Sequence, residues 1–377
     1  MQFNLKQIFL KTILPVILIC TFFFISMTPF SCRQSAEGIE FLQGDFNTPL
    51  LESFSVLNQN SVFLTFDKAV NLTDTKIYNY EEKQNLTTPL GQETNAIYSS
   101  DCKAVTVNFT NPTLTGLTYF LEGCVLDQNK NSLTFSISFT GFNSTPADLA
   151  INEVRNAYSS STNSSSEIKT YKCEFIELIA RSDGNLAGIE IINASEAEKK
   201  YSLPPVEVKK GDYITVHLRS MEEGCINETG DDISLSFATD SCDSARDFWQ
   251  DNQKARLGLQ DIIIIQNSAD KTILDALLYT TSAKNEWSED FEPYLKEIEN
   301  QGAWTDTDGN ITTSISSALI TDYITSSATT RTISRQNISC AATKAGEWII
   351  TCNKGSGANK VSGDTPGYKN SPNVYTK

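Results

Sequence analysis

The sequence contains a single histidine, His217, in 377 residues. Its nine cysteines include no C-x-x-C spacing. Together these absences argue against a zinc site of the usual ligand set. A Ser-His-Asp arrangement would have only His217 for its base, and no Gly-x-Ser-x-Gly stretch supplies a nucleophile. No Gly-x-x-x-x-Gly-Lys loop cradles a phosphate. Lys and Arg never stand more than two together, and 30 of them are outnumbered by 46 acids, for a net charge of -16. Such a surface repels nucleic-acid backbones and anionic headgroups, so no nucleic-acid partner is expected. No motif calls for a cofactor, and none is expected. Beyond the N-terminus no apolar run is long enough to span a bilayer.

What is present begins with an export signal over residues 1–31. Lys6 and Lys11 form a basic start, and residues 13–27 are a mainly apolar stretch interrupted by Pro15. Without this segment the chain has 28 basic and 46 acidic side chains, a net charge of -18. Ser31-Cys32 follows the apolar stretch and resembles the lipobox of bacterial lipoproteins, departing from it at Pro29 and Phe30. The resemblance implies lipidation at Cys32, with residues 32–39 as a tether and acyl chains as the membrane anchor. The expected location is the bacterial cell envelope, with the outer membrane preferred. The alternative is cleavage near Ser35-Ala36 and a soluble secreted protein.

Export implies an oxidising compartment. Sequence neighbours suggest the disulfides Cys102–Cys124, Cys225–Cys242 and Cys340–Cys352, with Cys173 left over, although spacing does not decide connectivity.

From residue 40 to 145 apolar side chains recur at every second position. Val62, Leu64 and Phe66 alternate with Phe63 and Thr65; Val105, Val107 and Phe109 repeat the pattern, as do Leu133, Phe135, Ile137 and Phe139. Turn residues separate these runs, as at Asp127-Gln128-Asn129-Lys130-Asn131. Residues 146–377 continue with short strands, including the continuous apolar run Asp261-Ile262-Ile263-Ile264-Ile265 that suits a strand covered on both faces. Trp287, Phe291, Tyr294, Leu295 and Ile298 recur at helical spacing, which predicts one short amphipathic helix in an insertion over residues 285–301, beginning or kinking at Pro293. The fold class is all-β, with two β-sandwich (Ig-like) domains in tandem.

Tyr119, Leu121, Val125, Asp127 and Asn131 occupy places that make the first region similar to a bacterial Ig-like domain. That resemblance implies a spacer or adhesion module. The second region resembles a lamin-tail-like domain through Ile151-Asn152-Glu153-Val154, Glu174-Phe175-Ile176-Glu177-Leu178, Gly188-Ile189-Glu190-Ile191 and the ending Thr365-Pro366-Gly367-Tyr368-Lys369-Asn370. This resemblance implies an Ig-type sandwich of the kind found in nuclear lamins and bacterial envelope proteins.

The candidate carboxylates are Glu174, Glu177 and Glu190. Glu174 and Glu177 have opposite parity and leave opposite faces of a strand, so they cannot form a dyad; Glu190 lies on the next strand. They read as rim carboxylates, paired or solvated at a sheet margin. Asp306-Thr307-Asp308-Gly309-Asn310 resembles part of a calcium loop, but lacks the remaining ligands at the right spacing and reads as a tight turn. The expected role is non-catalytic, through display or binding of a protein or glycan ligand by loops of the second domain: residues 159–166, 221–243 and 285–302. The alternative is a carbohydrate- or calcium-dependent binding module using Trp249, Trp287 and Trp304. The third reading is a hydrolase with an unrecognised site.

Overall fold

In a computed structural model of the full chain, the residues described are 45–79, 94–162, 167–322, 324, 329–338, 343–354 and 362–376. Cys32, Cys340, the export signal, the tether and residues 163–166 lie outside them. The chain divides into two compact units, Met1–Asn47 and Thr48–Lys377. Both sandwiches lie in the second unit.

The first sandwich uses strands β1 (Leu51–Asn58), β2 (Ser61–Phe66), β3 (Asn71–Asn79) and β4 (Thr94–Tyr98). It continues with β5 (Ala104–Phe109), β6 (Thr118–Leu126) and β7 (Ser132–Thr140). A four-stranded sheet, β1-β2-β5-β4, packs against a three-stranded sheet, β3-β6-β7. The period-two pattern explains the layering. Val62, Leu64, Val105, Val107 and Leu121 are fully buried between the sheets, while Phe63, Thr65 and Thr106 on the alternate face are not. Asp127 closes the β6–β7 turn by accepting the N–H groups of Asn129 and Asn131, each at 2.8 Å.

The second sandwich opens with β8 (Leu149–Arg155), β9 (Ser159–Thr162), β10 (Lys169–Lys172), β11 (Phe175–Ala180), β12 (Gly184–Asn185) and β13 (Ile189–Asn193). Next come β14 (Tyr201–Ser202), β15 (Glu207–Val208), β16 (Tyr213–His217), β17 (Arg246–Trp249), β18 (Asp261–Asn267) and β19 (Ile273–Thr280). After the helix α1 (Glu292–Gln301), short strands β20 (Trp304–Thr305), β21 (Leu319–Ile320), β22 (Ile333–Arg335), β23 (Thr343–Lys344) and β24 (Trp348–Ile350) complete it. The main sheets are six-stranded, β17-β16-β11-β8-β22-β24, and five-stranded, β14-β13-β18-β19-β21. Ile262 to Ile265 are all buried, in agreement with a strand covered on both faces. The amphipathic helix forms as expected. Pro293 sits in the first turn of α1, where its missing N–H has no intrahelical partner to lose, and Gly302 ends the helix in the left-handed region at φ 65°. Ile298 and Phe291 turn into the core.

The polar join between the sandwiches is a packed seam. Asn143 Nδ2 donates to the carbonyls of Asn185 at 2.9 Å and Ala187 at 2.8 Å. Gly116, at φ +77°, lies so close to Pro205 that a Cβ there would stand 2.1 Å from the proline Cβ. Leu121→Ala should cost about 2–5 kcal/mol, because it opens a cavity in the first core; chemical denaturation checks this, and a loss below 1 kcal/mol would show a loosely packed core.

Candidate functional site

On the strands of the six-stranded sheet, side chains alternate between the core and the opposite face, and on β8 a bulge at Asn152 shifts the alternation, so that Leu149, Ile151 and Val154 all enter the core. Strand register brings the side chains of the opposite face into rows. Asp247, Thr215, Glu177, Glu153 and Ser334 stand side by side across β17, β16, β11, β8 and β22. Two positions along, Trp249, His217, Phe175 and Arg155 form a second row. This polar face is buried as completely as the core: Glu153, Glu177, Arg155, Thr215 and His217 are each 0% exposed.

The cover is the C-terminal segment around Thr365-Pro366-Gly367, together with the loop between β16 and β17. Glu153 accepts the N–H and hydroxyl of Thr365, at 3.0 and 3.1 Å, and the hydroxyls of Thr332 and Ser334. Glu177 accepts Asn152 Nδ2 at 2.6 Å and the N–H of Gly367. Asn370 Nδ2 donates to the carbonyls of Asn152 at 2.9 Å and Arg335 at 2.8 Å. Asp364 pairs with Arg155 at 3.0 Å and with Lys172, and Arg155 also pairs with Asp240. His217 stacks on Trp249 with ring centroids 3.7 Å apart, and its Nε2 lies 3.0 Å from Asp247 Oδ1. From the loop side, Glu228 accepts the N–H groups of Asp247 at 2.8 Å and Ser236 at 3.0 Å.

Burial sets the electrostatics. It pushes the Glu177 carboxyl well above its ordinary value, and the adjacent Glu153 adds to the rise. Glu153 is also raised by burial, although the bonds from Thr332 and Thr365 oppose it. Burial acts upward on Asp364 too, but Arg155 and Lys172 outweigh it and hold this carboxyl below its ordinary value. Buried Cys173 is pushed up to about 12, chiefly by burial and then by Asp240, so its thiol is a poor nucleophile.

The structure corrects several sequence expectations. Glu174, Glu177 and Glu190 are 2%, 0% and 1% exposed, so none is a rim carboxylate. Glu174 pairs with Arg219, and Glu190 lies on the other sheet between Lys200 and Lys271. The carboxylate next to Glu177 is Glu153, which parity within one strand could not reveal. Trp249 and Trp304 are buried and Trp287 packs against the core, so they present no sugar platform. Asp306 spends both oxygens within its own turn, on the N–H groups of Asp308 and Asn310 and the Asn310 side chain. Cys102, Cys124, Cys173, Cys225, Cys242 and Cys352 are free thiols. Cys102 lies in the turn before β5, while Cys124 is on β6 of the facing sheet, which separates the expected pair. In the second expected pair, the Cys242 thiol is turned to the carbonyl of Pro366 at 3.1 Å. The partner expected for Cys352, Cys340, is outside the described residues.

A family model described as "TP_1001_2nd: protein second domain" matches residues 147–350, just over half of the chain. The chain belongs to this second-domain family. The match covers β8 to β24, and so both main sheets of the second sandwich and both rows of the polar face. A relative from Treponema pallidum (strain Nichols), an uncharacterised protein, is 29% identical over 211 residues, 53% of this chain and 51% of that protein. The chain thus spans about half the length of this curated relative. Among solved structures, a DUF4876 family protein from Bacteroides thetaiotaomicron is 12% identical, with 70% of this chain and 82% of that chain covered and a TM-score of 0.27. The N-terminal part of the bacterial S-layer protein SbsC is 15% identical over 36% of this chain and 41% of that chain, with a TM-score of 0.23. Neither likeness bears on function.

Two expectations follow for this second-domain family member. Gly367 has φ +78°, and a Cβ there would meet Cys242 Sγ at 2.6 Å. Gly367→Ala should therefore destabilise the chain by about 1–3 kcal/mol, with hydrogen exchange rising first in residues 363–371. An unchanged exchange pattern would refute the closure. The second concerns pH. Glu177 titrates near 4.5 when unfolded and well above that when folded, so its contribution is complete below 4.5 and lost as pH rises through the folded value. Asp364 acts oppositely: its contribution is present above 3.8 and lost as pH falls through its lowered folded value. The thermal midpoint should rise on moving from neutral pH toward about 4.5 and fall only in stronger acid. Glu177→Gln should flatten the neutral limb, and a midpoint that drops steadily from neutrality would contradict the assignment.

Proposed function

We propose that the protein is a non-catalytic component of the bacterial cell envelope, anchored by acyl chains on Cys32. In this reading the first sandwich is a spacer, and the second is a lamin-tail-like module presenting its loops to a protein or glycan ligand. One observation supports it above the others. The carboxylates most suggestive of acid–base work, Glu153 and Glu177, direct their oxygens to Thr365, Gly367, Asn152 and Thr332 beneath the C-terminal segment. General acid–base catalysis needs such groups within reach of a substrate proton, and here folded chain occupies that place.

Exposed apolar side chains support contact through the loop between β16 and β17. Ile226, Leu235 and Phe237 lie on it, and Phe237 is 65% exposed. Large apolar groups exposed on one loop suit a binding surface.

Two measurements test the proposal. Intact mass of the membrane-extracted protein should give a chain beginning at Cys32 with acyl chains attached; an unmodified Cys32 would remove the anchor. Purified protein should turn over no ester, phosphate or glycoside substrate, and turnover abolished by Glu177→Gln would overturn the non-catalytic reading.

A further inference from the structure

We infer that the open end of the polar face, on either side of Tyr213, is a two-part site for a neutral saccharide; this rests on the ligand-binding role proposed above and gives it a place and a chemistry. β16 continues the polar face at Tyr213, two residues before Thr215, opposite Ile179 on β11. Here the burial ends: Tyr213 and Ile179 are only half-buried. The C-terminal segment that seals the rows beyond is also exposed at this point. Gly367 and Asn370 are buried, whereas Tyr368 and Lys369 between them are exposed, Tyr368 by 59%. Two open clefts of about 180 and 160 Å³ meet at Tyr213, which lines both. Each is smaller than the roughly 300 Å³ at which pockets for drug-sized ligands begin, a size that suits single sugar rings in adjacent positions.

The lining matches sugar hydroxyls. Buried Asn152 and Asn370 and exposed Gln336 and Asn337 line the first cleft, with Lys369 beside them. Arg335 also lines it, but is spent on Asp275 and Glu347. Asp212, Ser244 and Arg246 line the second. Amides and hydroxyls donate and accept at neighbouring atoms, as successive sugar hydroxyls do. The Tyr213 hydroxyl has no hydrogen-bond partner among the described residues. Burial, and then the neighbouring Glu177, push this phenol up, so it stays protonated. The Ser244 hydroxyl donates to Tyr368 Oη at 2.8 Å, which sets the exposed Tyr368 ring beside the second cleft. Both tyrosines combine a flat apolar ring for sugar C–H groups with a polar tip.

Charge and topology select this ligand class. Lys369 and Arg246 form no ion pair among the described residues, but Arg246 Nη1 is engaged by the carbonyls of Glu228 and Gly230. Asp212 adds a carboxylate to the second cleft, and the chain carries a net charge of -16. A polyanion meets that field unfavourably. An extended peptide commonly adds to an open strand edge, and β16 has β11 on one side and β17 on the other.

The full-length chain, purified in a detergent without a sugar headgroup, is applied to an array carrying neutral oligosaccharides beside sialylated and sulfated ones. Binding to neutral saccharides is expected, and the tightest of them then serves as the probe in isothermal titration. Tyr213→Phe removes only the hydroxyl and should weaken that affinity about three- to tenfold. Tyr213→Ala also removes the ring and should weaken it at least about tenfold. Tyr368→Ala, at an exposed position, should weaken it with the circular dichroism and thermal midpoint of the parent kept. Phe237→Ala, on the loop between β16 and β17, should bind as the parent does. An array on which no neutral saccharide binds, a preference for the acidic saccharides, or an affinity unchanged in both Tyr213→Phe and Tyr368→Ala would each overturn the inference. So would binding lost in Phe237→Ala alone, which would keep a glycan ligand but move it from the clefts to the loop. Acylation of Cys32 and the absence of turnover are measured independently, so a failure of the clefts is distinct from a failure of the envelope reading.

Discussion

Two carboxyl groups buried side by side need hydrogen-bond donors, and in this chain the donors come from far along the sequence. Glu153 reaches Thr365, 212 residues away, and Glu177 reaches Gly367, 190 residues away. A buried carboxyl without donors costs several kcal/mol, whereas one held by several backbone and hydroxyl donors is tolerated. The polar face of the six-stranded sheet is therefore completed only when the C-terminal segment returns to it. Arg155, between Asp240 and Asp364, ties the same segment to the loop between β16 and β17. Strand, loop and terminus are then one cooperative unit.

This constraint explains how an all-β chain accommodates charge inside. The apolar core between the two main sheets is separate from the polar layer on the outer face, and the strands of the six-stranded sheet serve both through their two faces. At the end of the sandwich the layers meet. Arg335 on β22 pairs with Asp275 on β19 at 2.7 Å, and Asp275 also accepts the N–H of Ile151 at 2.7 Å. Among the described residues, the first sandwich has no comparable layer. Its outer faces are rich in serine and threonine, which water satisfies, so its stability rests on the apolar core and on the seam at Gly116 and Asn143.

Much of the fold was legible in residue order. Val62, Leu64 and Phe66 announce a strand by period two, Ile262 to Ile265 announce a strand covered on both faces, and Pro293 marks the first turn of α1. These are local signals, carried by neighbours within one element. The candidate site was far less legible. The glutamates Glu174, Glu177 and Glu190 suggested exposed margins because charged side chains are mostly exposed. Their burial depends on partners in other elements: Arg219 for Glu174, Gly367 for Glu177, Lys200 and Lys271 for Glu190. The expected pair Cys102–Cys124 failed for a similar reason. The two are near in sequence, yet Cys102 lies in the turn before β5 while Cys124 is on β6 of the facing sheet.

By itself, then, the sequence determined the all-β class, the tandem layout and which side chains of each strand enter a core, because side-chain alternation is a property of the extended backbone. Tertiary structure alone decided that Glu153 and Glu177 adjoin, that His217 lies flat against Trp249, and that a distant terminus closes over them. Those facts depend on strand register and on donors hundreds of residues away, and no local spacing encodes either.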